Sequence, residues 1–355
     1  MVLKFHAETP IVRGYNRSCI YDLPRGEYNF IANSIIDKLQ AFENYDQAQI
    51  ELALDSNEKK WLEYLIEKEY CFFIPKNFSD FFPKIDFQWK SPSIITNTII
   101  DVDASQIEQN INLNLNLLEN INCKHLVIRF FNCSDYNKIL GFLKININNL
   151  TFQSIEIEIE KNINFLNKDF TSIKKIIKNE IEQVTDVRTK IDAKIIAPFF
   201  RPNFIIDISV FSEALKYNTF FNRKLYIDTN RNIKNSIETS DSASKIDFDE
   251  NKIKFENKIL KPTFRKLWNR NKDQTDVCKN CEFRYMCIDN RIPKVRKKGN
   301  YYFDFECSYN PFISKWKNDD DYYSLSEIGV LTNKSVFYID HNQVKIINDR
   351  IWSDV

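Results

Sequence analysis

Hydrophobic and polar positions follow more than one period along this chain. In residues 18–31, "SCIYDLPRGEYNFI", two short runs rich in Ile, Tyr and Phe flank "PRG". Proline presets a turn and glycine supplies a positive φ, so the segment predicts a β-hairpin. The period then lengthens. Ile35, Ile36, Leu39 and Phe42 recur at helical spacing in "NSIIDKLQAF" (33–42), which predicts a helix. "DSNE" (55–58) is an Asp-x-x-Glu form of the capping box, and the helix behind it carries Trp61, Leu62, Leu65 and Ile66 on one side. "YCFFIP" (70–75) predicts a closing strand. Hairpin, helices and strand together predict a winged-helix-like unit.

From about residue 92 strand-like and helix-like segments take turns. "SIITNTIIDV" (93–102), "HLVIRFF" (125–131), "SIEIEIE" (154–160), "AKIIAP" (193–198), "NFIIDISV" (203–210) and "KLYID" (224–228) predict strands, and "DFTSIKKIIKNEIEQV" (169–184) predicts a helix. Strands separated by helices indicate βαβ units, and this series predicts a partial or irregular (β/α) barrel in an α/β chain. "INLNLNLL" (111–118) alternates like a strand but is read as a helix on length and position. "ININNL" (145–150) stays ambiguous. Reactive groups of a parallel barrel gather at the carboxyl ends of its strands. There "IIDVDAS" offers Asp101 and Asp103 as an acid, a base or metal ligands; a solvated turn or a helix N-cap is the commoner fate of such aspartates.

Composition narrows the function classes. At 355 residues two or three domains are expected. Fifty Lys and Arg against 49 Asp and Glu leave +1, which removes the electrostatic case for nucleic acid. The helix "NEKKWLEYLIEKEY" is charge-balanced and has no arginine, unlike a DNA-reading helix. Five glycines form neither GxGxxG nor GxxxxGKS. The start lacks the apolar core of a secretory signal, and no apolar run approaches the roughly 20 residues that cross a bilayer. A soluble cytoplasmic protein is therefore expected, with neither membrane nor nucleic acid as partner. His6, His125 and His341 stand apart in sequence, and GxSxG and HExxH are missing.

Four of the eight cysteines fall within thirty positions: Cys278, Cys281, Cys287 and Cys307. In the cytoplasm such clustering indicates metal ligands more than disulfides. Cys-x2-Cys sets two thiolates on one face of a metal and later cysteines complete the shell; zinc and an iron–sulfur cluster both accept four thiolates. Cys19, Cys71, Cys123 and Cys133 read as buried spectators. Arg284, Asp289 and Arg291 beside the motif suit either a docking surface or salt bridges that hold the loops, and Trp268, Tyr309 and Trp316 read as packing residues.

The flanks carry a resemblance. "FNRKLYIDTNRNIKNS" (221–236), "FRKLWNRNKDQTDVCKNCEFRYMCIDNR" (264–291) and "CSYNPFISKW" (307–316) resemble the SPASM region of radical SAM enzymes that modify peptides. "VRGYNRSCIYDLPRGEYNFI" (12–31) looks like the start of the SPASM-domain peptide maturases of grasp-with-spasm systems. The resemblance implies a barrel of radical SAM type over 81–262, a cysteine-rich SPASM-like tail over 263–355, and a cap over 1–80 similar to the RiPP recognition element. Such a cap captures the leader of a precursor peptide by strand addition. Tyr28, Phe30, Leu62 and Leu65 are its candidate contacts. The implied partners are the precursor leader and an ATP-grasp ligase that forms ester or amide crosslinks.

Departures from the family pattern change the expected role. The Cys-x3-Cys-x2-Cys loop of the catalytic cluster belongs after the first barrel strand, where this chain reads "IIDVDASQIEQN". No S-adenosylmethionine cluster is expected, and radical catalysis has no electron source there. Arg231 and Ser236 stand where full SPASM regions have a glycine and a cysteine, and Arg291 stands where a further cysteine would fall. The four remaining cysteines match the second auxiliary cluster, so one 4Fe–4S cluster or one zinc ion is expected. These features point to a pseudo-radical-SAM adaptor. A peptide-modifying enzyme working through Asp101 and Asp103, or an iron–sulfur electron carrier, are the alternatives.

Overall fold

The computed structural model describes residues 1–107, 112–132, 138–139, 141–143, 151–159, 175–177, 199–200, 202–247, 250–297 and 299–353. No helix among them is long and apolar enough to cross a membrane.

The amino-terminal unit is assembled from β1 (Val2–Phe5), β2 (Ile11–Arg13), β3 (Arg17–Asp22), β4 (Glu27–Ala32), α1 (Asn33–Ala41), α2 (Gln47–Ala53), α3 (Ser56–Glu67) and β5 (Cys71–Ile74). The predicted hairpin is β3–β4, antiparallel from Arg17 opposite Ala32 to Asp22 opposite Glu27, and Gly26 takes φ 70° in its turn. β2 adds to β3, giving the order β2-β3-β4. The strand predicted at 70–75 is present as β5, but its partner is β1 rather than the hairpin. α3 starts at the predicted capping box: the Asp55 carboxylate accepts from the Asn57 and Glu58 amides, and Glu58 accepts from the Asp55 amide.

Alternation along β3 buries both faces of this sheet. Ile20, with Ile31, joins Ile36, Leu39, Leu62 and Leu65 in the core of the unit. Cys19 and Tyr21, with Val12, point the other way and pack on Phe283, Met286 and Tyr309 of the carboxyl-terminal third.

The middle of the chain forms a seven-stranded sheet. β6 (Asn97–Asp103), β7 (His125–Phe131), β8 (Ser154–Ile159) and β9 (Lys175–Ile177) lie parallel in sequence order. β10 (Phe199–Phe200) and β11 (Asn203–Phe204) stay outside it. β12 (Lys224–Ile227) pairs parallel with the free side of β6, and β13 (Asn232–Lys234) and β14 (Ser244–Lys245) extend the sheet antiparallel. Among the described residues the sheet is open. One face is apolar and is covered by the helices Asn112–Asn120 and Lys252–Ile259, with Leu115, Leu118, Phe255 and Ile259 against Ile100, Ile128, Ile157 and Leu225.

Two readings from the sequence need correction. Residues 203–210 were expected as a strand; only Asn203–Phe204 is one, and Ile208–Ala214 is a helix. The Asp207 carboxylate accepts from the Val210 amide, so this polar position is an N-cap rather than one face of a strand. Within the helix expected at 169–184, Lys175–Ile177 instead extends the sheet beside β8, where the β-branched Ile176 and Ile177 suit a pleated surface; the rest of that segment lies outside the described residues. So do the strand expected at 193–198, the ambiguous 145–150 and Cys133. The helix expected at 111–118 is present as Asn112–Asn120.

Short ladders build the remainder: β15 (Cys287–Ile288) with β11, β16 (Lys294–Lys297) with β17 (Asn300–Tyr302), and β18 (Glu306–Cys307) with β10. β19 (Tyr309–Asn310) pairs with β20 (Lys315–Trp316), and β21 (Val330–Thr332) with β22 (Phe337–Ile339). Helix His341–Ile351 lays Val344 and Ile347 on Phe312, Ile313 and Val330.

The turn between β2 and β3 locks the amino-terminal unit onto the segment that carries the first cysteines. The Tyr15 amide donates to Asn280 O at 2.7 Å, and Arg284 Nη1 donates to Arg13 O at 2.7 Å. Backbone approach is close at Gly14, where an added Cβ would lie 2.7 Å from Arg17 O and 2.9 Å from the Glu282 amide nitrogen. Gly14→Ala is therefore expected to lower stability by about 1–3 kcal/mol, the usual cost of overpacking; urea unfolding of the full chain measures it.

Candidate metal centre and strand edge

Local backbone geometry sets each cysteine. Val277 holds φ 59° and ψ −55°, and the Cys278 amide donates back to Asp276 O. That is the strained form of the γ-turn, and for a β-branched residue it costs on the order of 1–3 kcal/mol. Cys278 opens a short 3-10 turn, and the Cys281 amide donates to Cys278 O at 2.9 Å. β15 carries Cys287 and β18 carries Cys307, each fixed by a partner from residues 199–204. The Tyr309 amide points at Cys307 Sγ from 3.5 Å.

All four are free thiols lining a single cavity, together with Lys272, Phe283, Asp289 and Arg291. Burial pushes each of them up, Cys307 to about 11, while the Lys272 ammonium opposes the rise at Cys278 and Cys287 and the Arg291 guanidinium opposes it at Cys278 and Cys307. Both cations are buried. Arg291 forms two hydrogen bonds to Asp289, at 3.0 and 2.7 Å, while Lys272 reaches the same carboxylate only at 3.5 Å. Lys272 and Arg291 thus both stand beside the thiols, with the Asp289 carboxylate between them.

These charges bear on whether a metal group fits. Four thiolates around a core of charge +2 carry a net −2, and Lys272 and Arg291 offset part of it. Neutral thiols would forgo that attraction. The residues therefore fit a thiolate-bound metal group held by Cys278, Cys281, Cys287 and Cys307. Both zinc and an iron–sulfur cluster accept four thiolates; among the described residues no three Cys, His, Asp or Glu side chains are grouped as ligands of one ion.

Arg284 and Arg291 tie loops together: Arg284 donates to Asp273, Arg13 O and Cys281 O, and Arg291 also donates to Phe305 O. Trp268 and Tyr309 are buried packing residues and Trp316 is half-buried against Tyr309. Arg231 has φ 66°. Ser236 is fully buried and its Oγ has no partner among the described residues.

The other site residues separate into distinct environments. Tyr21 donates its amide to Pro10 O on the β2 side. In an antiparallel ladder bonded and non-bonded pairs alternate, so Tyr28 and Phe30, opposite Tyr21 and Cys19, turn their backbone groups away from β3. No strand among the described residues pairs there. The rings of Tyr28 and Phe30 lie 5.7 and 5.6 Å from that of Phe283, which itself lines the cysteine cavity. Leu62 and Leu65 are buried in the core of the unit and face no groove. The helix residue beside β4 is instead Tyr64, whose hydroxyl donates to Asn29 Oδ1 at 3.0 Å and whose ring stacks edge-on against Trp61.

Asp101 and Asp103 do not form a pair. Asp101 is buried, accepts from Arg129 at 2.6 and 2.7 Å, and accepts from the Tyr226 hydroxyl at 2.6 Å. Asp103 caps the turn after β6, where hydrogen bonds from Ser105 hold its carboxyl below the ordinary range. Lys272, Glu282 and Phe283 were missed in the sequence. Nothing in their spacing separates a buried charge or ring from a surface one.

Compared with protein-family models, with curated proteins and with solved structures, the chain finds no match.

Lys272→Met is expected to weaken metal retention about 10–100-fold, as the loss of a residue supporting a metal shell does. Competition against a graded chelator series, read by metal analysis of the protein fraction, measures it.

Proposed function

We propose that this protein is a cytoplasmic, pseudo-radical-SAM adaptor in the maturation of a ribosomally made peptide. It binds the precursor leader as an added strand on β4 and presents the peptide to an ATP-grasp ligase that forms ester or amide crosslinks. The carrying observation is the edge of β4: Tyr28, Phe30 and Ala32 turn main-chain donors and acceptors outward, between Tyr64 of α3 on one face and Phe283 on the other. Main-chain pairing supplies affinity at such an edge, and the flanking aromatic residues supply selectivity.

The open α/β sheet is a remnant of a radical SAM-type barrel in this reading, and it serves as a docking face. Near the end of its first strand Asp101 is committed to Arg129 and Tyr226, and Asp103 to Ser105, so the two do not act as the pair that the enzyme alternative calls for. The four cysteines hold a 4Fe–4S cluster or a zinc ion, whose role is to fix the loops of the tail. When bound, the group supplies cross-linking between segments distant in sequence; the residues around it exclude water and balance charge.

Ala32 has φ −60°, which proline also adopts, and its amide faces the open side. Ala32→Pro is expected to leave the fold intact and to weaken binding of the precursor encoded beside this protein by about tenfold, the worth of one main-chain bond plus an obstructed edge. Fluorescence anisotropy with labelled precursor reads the affinity, and mass spectrometry reads crosslinking yield by the ligase with and without this protein. Absence of precursor binding together with an unchanged yield would sink the adaptor reading.

A further inference from the structure

Residues 282–286 lie between two cysteines of the cavity and at the same time form the floor under the β2-β3-β4 sheet. Glu282 is fully buried there. Its Oε1 accepts from Arg17 Nε at 2.8 Å and from the Tyr309 hydroxyl, and its carbonyl accepts from the Tyr21 hydroxyl at 2.6 Å. Arg17 in turn sits 3.4 Å above the centre of the Phe30 ring. Phe283 touches Tyr28 and Phe30 above it and Tyr309 below, with ring centroids 4.8 Å apart in the last pair. The segment thus meets β3 through Arg17 and Tyr21, β4 through Tyr28 and Phe30, and β2 through Arg13 O.

Geometry also says what holds the segment in place. Cys281 directly precedes Glu282 and Cys287 directly follows Met286, so a metal group bound to both thiols pins the two ends of a five-residue loop. Apart from the thiols, those ends are held by the two-residue ladder of β15, by the Thr219 hydroxyl on Cys287 O, by Arg284 on Cys281 O and by turn hydrogen bonds.

We infer that residues 282–286 transmit the occupancy of the four-thiol site to the edge of β4, with Glu282 and Phe283 as positioning residues for the incoming peptide strand. This rests on the adaptor reading for the identity of the strand, but not for the coupling itself.

Hydrogen exchange of the full chain separates the two. The protein is loaded anaerobically with iron and sulfide, or with zinc if it retains only that, and compared with the same protein stripped by a chelator. On stripping, the amides of Tyr15, Asn29 and Ile31 should exchange about tenfold faster, while those of α3 keep their protection. Phe283→Ala, with its metal retained, should reproduce the acceleration. Arg17→Lys, on β3 rather than in the cysteine loop, should move it by about threefold and keeps the test open if the first variant does not fold. Unchanged rates at Asn29 and Ile31 on stripping, or loss of protection throughout α1–α3, would overturn the inference; so would a chain that retains neither metal. Coupling without precursor binding would uphold the inference and remove the adaptor reading.

Discussion

Glu282 is a buried carboxylate at the point where the amino-terminal sheet meets the cysteine loop, and the assembly of the molecule depends on how its charge is met. Arg17 meets it from the sheet and Tyr309 from the strand two residues beyond the last cysteine. Removing one partner of such a buried pair typically costs about 3–5 kcal/mol, a large share of the roughly 5–15 kcal/mol that holds a domain together. The pair is a connector rather than a source of net stability, because desolvation consumes much of what the attraction contributes. What it provides is registration. The β2–β3 turn that brings Arg17 to Glu282 Oε1 also brings the Tyr15 amide to Asn280 O.

The cysteine cavity obeys the same electrostatic logic with the opposite sign. Lys272 and Arg291 are buried beside thiols whose burial disfavours ionisation, and their charges favour anionic sulfur against that effect. The strained γ-turn at Val277 agrees with that: backbone strain persists where surrounding contacts over-determine it, and here it aims Cys278 into the cavity.

Legibility from the sequence divided along physical lines. Cysteine spacing marked the four thiols that share a cavity, because short loops between cysteines restrict where the sulfurs can point. The hairpin was legible from "PRG" between apolar runs, and α3 from its capping box. β1 was not, since "VLKF" has no turn beside it and its partner lies some seventy residues away. Asp207 was misread because an N-cap and the polar face of a strand look alike in one sequence. Leu62 and Leu65 were placed on the right helix, but an amphipathic face does not announce whether it meets a core or a ligand. Charged residues such as Lys272 and Glu282 look like surface residues until the fold encloses them.

The unpaired side of β4 has a further consequence that concerns the protein by itself. A row of outward donors and acceptors pairs as readily with a second copy as with a guest strand, and natural sheets blunt such edges with charge, proline or a covering loop. Here Glu27 gives a single charge at one end of the strand, and the outward positions Tyr28, Phe30 and Ala32 carry none. Crowding without a guest strand therefore favours edge-to-edge pairing of copies. Any strand bound along β4 would cover that edge and keep copies of the protein apart.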